Sequence, residues 1–161
     1  MITQAEVLTY FEYKDGNLYW KIMPYKRNDL IGTKAGTDIG DGRSHITINK
    51  KHYKTHRLVY LMFHGYMPKE IDHIDNNPSN NRIENLREAT RSEQVCNTKL
   101  RKDSTSGIKG VTWDKSRSKW IVSINKDKKT MFRGRFDDLE LAQLVAVEAR
   151  NKYHGDFAKC L

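Results

Sequence analysis

Between His56 and Asn97 the chain gathers histidine, carboxylate and amide side chains into one short span. Asp72 and His73 are adjacent, setting a carboxylate beside a base that changes charge near neutral pH. Gln94 and Asn97 offer amide oxygens three residues apart, which is one face of a helix. Together these groups suit phosphodiester hydrolysis. A histidine takes the proton from an attacking water. A hard divalent cation held by oxygen ligands neutralises the phosphate and steadies the leaving 3′ oxygen.

Side chains of this kind work only if local structure brings them together. Residues 1–52 are Gly-rich with short β-like runs: LYWKI (18–22) and HITINKKHYKTH (45–56) alternate as strands do, with turns at Gly16–Asn17 and Gly40–Asp41–Gly42. THRLVYLMFHG (55–65) predicts a short helix that Thr55 caps and Gly65 ends in a left-handed conformation. His64 reads as a C-terminal histidine facing the last carbonyls. Thr90-Arg-Ser-Glu93 is a capping-box pattern, predicting a helix from there to about Leu100. Adjacent strand residues point to opposite faces, so Asp72 and His73 share a site only where a strand ends or bends. Pro68, Asn76, Asn77 and Pro78 make irregular backbone there plausible. Most of Asn76, Asn77, Asn80 and Asn81 read as turn formers. His52 and His56 read as structural or phosphate-facing, and Asp75 equally as a group behind the site or as a solvated carboxylate.

Residues 101–107, RKDSTSG, read as a basic linker. Beyond it, GVTW, KWIVSI and KTMFRGRF are strand-like, and Asp138–Tyr153 predicts a helix with Leu139, Ala142, Leu144, Val145, Ala146 and Ala149 on its apolar side. In KWIVSIN, Trp120, Val122 and Ile124 fall on the helix-facing side and Ile121, Ser123 and Asn125 on the other. Trp113, Trp120 and Phe136 are assigned to the core.

The chain has 161 residues and a net charge of +9. Residues 101–135 hold 11 Lys and Arg against Asp103, Asp114 and Asp127, a net of +8, whereas residues 1–100 hold 15 against 12 acidic residues, a net of +3. The positive charge is therefore a patch, as expected of a phosphate-binding surface. No apolar run approaches the ~20 residues that span a bilayer, and the N-terminus does not read as a secretion signal. Cys96 and Cys160 cannot build a cysteine-rich zinc site or a disulfide framework, which points to a reducing, cytoplasmic setting.

The span 16–97 resembles the HNH homing endonucleases of phages and introns. The matching residues are His56-Arg57-Leu58, Phe63-His64-Gly65, Asp72-His73-Ile74-Asp75, and Asn81-Arg82 through Asn85-Leu86-Arg87. The resemblance implies that His73 is the general base, that Asp72 ligates a divalent metal (Mg²⁺ or Mn²⁺), and that Asn85 orients His73 through a hydrogen bond. A helical His or Asn completes the metal site in that family. The spacing puts Gln94 there, with Asn97 one turn on as the second choice. Residues 107–160 resemble the Apetala/ethylene-response-factor type of DNA-binding domain, through Gly110-Val111-x-Trp113, Lys119-Trp120, Ile124, Gly134-x-Phe136, Glu140-x-Ala142, Ala146, Ala149, Tyr153-x-Gly155 and Phe157-Ala158. In that family a three-stranded sheet on one helix lays its outer face in the DNA major groove. Thr112, Ser123 and Asn125 depart from its charged readers, so base preference does not carry over.

The expectation is an α+β protein: N-terminal β-hairpins and a ββα-metal HNH core (about 53–98) in a domain 1–100, a linker 101–107, then a three-stranded antiparallel sheet packed on one helix in 108–161. The expected function is metal-dependent cleavage of double-stranded DNA by a monomer, with a dimer as one route to paired cuts. The expected DNA contacts are Arg101, Lys102, Lys109, Thr112, Lys115, Arg117, Ser123, Asn125, Arg133 and Arg135, most of them to phosphates, with Lys21, Lys26, Arg27 and Lys34 adding others. The rival reading is a non-catalytic DNA-binding regulator with a degenerate nuclease core. RNA binding is a weaker third, because exposed stacking aromatics are sparse.

Overall fold

The computed structural model describes residues 2–24, 28–98, 100 and 102–158. Lys26, Arg27, Arg101 and Cys160 lie outside them. The fold is α+β, with small antiparallel sheets in two compact units, Met1–Ala89 and Thr90–Leu161. Among the described residues no helix is long and apolar enough to cross a membrane.

The first unit opens with a helix that the strand-like reading of residues 1–52 did not include. In α1 (Gln4–Tyr10), Thr3 and Glu6 form a reciprocal capping box and Val7 is buried. A hairpin follows, β1 (Phe11–Lys14) with β2 (Asn17–Trp20), then a sheet in the order β3 (Thr37–Asp38), β4 (Ser44–Ile48), β5 (Lys51–Lys54). The run 45–56 thus breaks into two strands around Asn49–Lys50. Both turn residues have positive φ, the backbone that matches the twist of a two-residue hairpin.

Helix α2 (Thr55–His64) carries Leu58, Val59, Tyr60, Leu61 and Met62 into the core and ends at Gly65 in the left-handed conformation, as the sequence predicts. Its start differs from the expectation. Lys54 is the N-cap residue and makes no side-chain cap, while the Thr55 hydroxyl accepts from Ser44 Oγ at 2.7 Å. His64 stacks on Tyr60, ring centroids 4.1 Å apart, one turn back along the helix. Phe11, Leu18, Trp20, Ile46, Ile48, Ile71 and Leu86 complete this core. Each such side chain contributes about 1.5–3 kcal/mol by leaving water. The unit closes with a short ribbon, β6 (Ile71–His73) antiparallel to β7 (Leu86–Glu88).

The second unit begins with α3 (Arg91–Cys96). Thr90 and Glu93 cap it reciprocally, as their spacing predicts, but the helix stops at Cys96 with Asn97 as its C-cap, short of Leu100. Lys109 Nζ donates to the carbonyls of Cys96 and Thr98, and an ammonium is a favourable partner for the end of a helix. The strands β8 (Val111–Asp114), β9 (Lys119–Lys126) and β10 (Lys129–Phe136) make an antiparallel sheet with β9 in the middle. Helix α4 (Leu139–His154), capped by Asp138 accepting from Leu141 N–H at 3.0 Å, shares a core with it: Val111, Val122, Ile124, Ala142, Ala146 and Ala149. Two expected core residues sit outside. Leu144 is 65 % exposed, because the buried stripe runs through the alanines. Trp113 is 38 % exposed at the end of the sheet, leaning on Trp120 with centroids 4.8 Å apart.

Candidate active site

Strand alternation sorts the β6–β7 ribbon into two faces. Ile71, His73 and Leu86 share one, and Asp72 and its direct partner Arg87 share the other. Asp72 and His73 therefore leave a regular strand on opposite sides, and the strand ends at His73.

On the Asp72 face, Arg87 binds Oδ2 through Nε at 3.0 Å and Nη2 at 2.9 Å. Both side chains are largely buried, at 10 % and 17 % exposure. On the other face, His73 Nε2 lies 2.9 Å from Asn81 Oδ1, and Asn81 is 6 % exposed. The His56 ring, from the first turn of α2, meets the His73 ring edge to face at 5.2 Å. Burial and then the charge of His73 push the His56 pKa down to about 3, so His56 is neutral throughout the physiological range.

The backbone between His73 and Asn85 is irregular, and its own side chains hold it. Asp75 is the hub. Its Oδ1 accepts from Asn77 N–H at 2.8 Å and from Asn85 Nδ2 at 2.9 Å, and its Oδ2 accepts from Asn80 Nδ2 at 2.7 Å. Burial pushes this carboxyl up, but the bonds from Asn77, Asn80 and Asn85 outweigh it and hold the pKa below the usual range. Asn85 closes the loop from the far side: Nδ2 also donates to Asn80 O at 2.8 Å and Oδ1 accepts from Asp75 N–H at 3.0 Å. The Asn85 side chain thus grips the loop behind His73, and its bonds go to the loop rather than to the imidazole.

Two N-terminal turns brace the same loop. Gly16, φ +82°, faces the 81–82 backbone so closely that a Cβ would lie 2.8 Å from Arg82 N and 3.0 Å from Asn81 C. Ile83 N–H donates to the Tyr13 hydroxyl at 3.2 Å. Gly42 carries the carbonyl that accepts from Ser79 Oγ at 2.9 Å.

Asn81 and Arg87 are functional candidates that the sequence did not mark as such: Asn81 fell among the asparagines read mostly as turn formers, and Arg87 was given no part in the chemistry. Both are letters of the Asn81-Arg82 through Asn85-Leu86-Arg87 pattern. Pairing 71–73 with 86–88 on period two would have set Arg87 opposite Asp72.

Gln94 and Asn97 belong to the second unit. Gln94 is half-buried on α3, with its Oε1 accepting from Arg91 Nη1 at 3.4 Å, and Asn97 is fully buried. Among the described residues no group of three or more His, Cys, Asp or Glu could hold a metal. The Asp72 carboxylate is by its chemistry a hard oxygen donor of the kind that Mg²⁺ or Mn²⁺ takes.

In the sheet β8–β10 the register puts Thr112, Ile121 and Arg135 in one row, Ser123 with Arg133 in the next, and Asn125 opposite Thr130. These rows lie on the face away from Val111, Val122 and Ile124. Arg133, Arg135 and Asn125 are exposed there, and Lys115 and Arg117 are exposed in the β8–β9 turn. Asp114 holds Arg117 at 3.5 Å and Arg135 at 4.0 Å. Lys102 is exposed, whereas Lys109 is committed to the end of α3.

Comparison with known proteins agrees with the chemistry of this loop. A family model described as HNH endonuclease matches residues 53–95, from β5 to α3. The chain is 39 % identical over 116 residues to Protein 3.8 of Escherichia phage T7, covering 68 % of this chain and 94 % of that protein. No solved structure matches it. The Asp72-His73 ribbon, the asparagine-clamped loop and this relationship together place the chain in the HNH endonuclease family.

Proposed function

We propose that the protein is a metal-dependent DNA endonuclease that hydrolyses phosphodiesters in duplex DNA, nicking or cutting it in the manner of a homing endonuclease. The observation that carries this reading is the His73 imidazole, placed at the end of β6 and held by the buried Asn81 within the span matched to HNH endonucleases.

In this reading His73 is the general base that takes the proton of the attacking water. Asn85 fixes the loop from which the imidazole works. Asp72 would supply the carboxylate ligand of one divalent ion, Mg²⁺ or Mn²⁺, with Gln94, or Asn97 in its place, as the candidate source of an amide oxygen. When bound, that ion neutralises the phosphate and steadies the leaving 3′ oxygen. Arg87 holds the Asp72 carboxylate in place through its two bonds to Oδ2. The second unit is read as an Apetala/ethylene-response-factor-like module for double-stranded DNA, from residue 108 on. Thr112, Ser123, Asn125, Arg133 and Arg135 form its outer face, Lys115 and Arg117 flank it, and Lys102 and Arg101 precede it. Most of these contacts position the duplex through phosphates. Lys109 acts one step back, by holding α3. In this reading the enzyme is a monomer that nicks the duplex, and paired cuts come from sequential nicks or from a dimer.

The test is supercoiled plasmid incubated with Mg²⁺ or Mn²⁺, with chelator, and with the His73→Ala variant. Relaxed circles are expected only with metal and the unmodified protein, while His73→Ala still shifts DNA on a gel. Cleavage that survives His73→Ala removes His73 as the base. The alternative, a DNA-binding regulator with a degenerate nuclease core, draws on Gln94 and on the ion pair that gives Asp72 a structural partner. It predicts a gel shift with intact plasmid under every metal condition.

A further inference from the structure

We propose that Asn81 is the positioning residue for His73: its side-chain oxygen accepts the Nε2–H, fixes the neutral ring in that tautomer, and so leaves the basic lone pair on Nδ1. The inference rests on reading His73 as the base and adds which of its nitrogens does the work and what sets it.

The chemistry follows from donor types. A neutral imidazole has one N–H, and an amide oxygen can only accept. With Asn81 Oδ1 at 2.9 Å, a neutral ring makes this bond only with its proton on Nε2. The two asparagines at either end of the Asn81–Asn85 stretch then divide the task. Asn85 spends both amide hydrogens on Asp75 and the Asn80 carbonyl, shaping the loop. Asn81 holds the ring.

Asn81 is placed by contacts remote in sequence. The β1–β2 turn packs against its backbone through Gly16, and Tyr13 accepts from Ile83 N–H two residues on. Asp15 pairs with Arg82 at 3.5 Å. Against the His73 ring stands His56, which stays neutral and so adds no charge that would oppose the imidazolium formed during turnover. A bond that selects a tautomer orients a catalytic histidine without joining the reaction, which is the role of an orienting partner in other base–nucleophile systems.

The experiment is long-range ¹H–¹⁵N NMR of the His73 ring in the full-length protein, paired with single-turnover plasmid cleavage. The expected result is an Nε2–H tautomer in the unmodified chain. In Asn81→Ala the ring is expected to become a tautomer mixture, with cleavage slowed about 10–100-fold and DNA affinity unchanged. Asn81→Asp, whose carboxylate oxygen accepts from the same N–H, restores both. An Nδ1–H tautomer in the unmodified protein overturns the proposal, as does an Asn81→Ala protein with unchanged tautomer and rate. If Asn81→Ala does not fold, the tautomer of the unmodified chain and the behaviour of Asn81→Asp decide. Failure of the base assignment is separate: it shows as cleavage surviving in His73→Ala, whatever the tautomer.

Discussion

The loop after His73 and the outer face of the β8–β10 sheet are both polar, yet they are held in opposite ways. The loop has almost no regular backbone. Asp75, Asn80 and Asn85 replace ladder hydrogen bonds with side-chain bonds, and Gly16 and Gly42 press on it from two turns far away in sequence. The sheet has regular antiparallel register, broken only by an irregularity between Thr130 and Phe132, and alternation alone delivers Thr112, Ser123, Arg133 and Arg135 to one side. Chemistry at one atom needs a ring fixed in position and tautomer, and interlocked side-chain bonds fix both. Contact with a long, uniformly charged duplex needs only an array of donors at strand spacing. The loop is therefore expected to respond sharply to the loss of one partner, and the sheet gradually.

The largest effect expected on stability is at Asp72. Arg87→Ala strands a buried carboxylate, and breaking a buried pair from one side costs about 3 kcal/mol. Urea unfolding followed in the first unit measures it. Asp72→Leu combined with Arg87→Leu is expected to recover most of that loss while cleavage stays absent, separating the structural role of the pair from the catalytic one. Recovery of cleavage in the double variant would mean that the Asp72 carboxylate has no part in the reaction.

On the sheet the effect is expected to be intermediate and spread out. Arg133→Ala with Arg135→Ala should weaken duplex binding roughly equally across sequences and lower the salt slope of log K by roughly two, with cleavage at saturating protein unchanged. A loss of discrimination between sequences with little change in salt slope would instead make these arginines base readers, and the contrast with the loop would narrow.

The smallest effect tests the neutrality of His56. Its pKa is near 6.5 in the unfolded chain and about 3 in the folded one. Between those values the unfolded chain carries the extra proton, so this contribution is complete above pH 6.5 and is lost as pH falls toward 3. From pH 6.5 to 5 the loss is on the order of 1–2 kcal/mol. Calorimetry of His56→Gln should show a correspondingly flatter melting temperature over that range. An equal slope in both proteins would show that His56 is solvated enough to titrate normally.

Features that depend on neighbours a few residues apart were legible in the chain. The capping box at Thr90 and Glu93, the left-handed stop at Gly65 and the two faces of β9 are all short-range matters of backbone and period. The same logic failed at Thr55, whose hydroxyl is drawn away by Ser44, eleven residues earlier, and at Trp113, which is exposed and leans on Trp120. Helix α1 escaped notice although Thr3 and Glu6 carry its capping box, because the surrounding residues read as strands.

By itself the sequence determined which chemistry is on offer: a base and a carboxylate side by side, a concentration of amides, and positive charge collected in residues 101–135. Only the tertiary structure decided who holds whom. Arg87 rather than a solvent shell meets Asp72, Asn81 rather than Asn85 meets the His73 ring, and Lys109 serves a helix end. The physical reason is one of range. A side chain's type fixes what it can donate or accept, but its partner is chosen by strand register and by turns that bring distant backbone within 3 Å, as Gly16 does for Arg82.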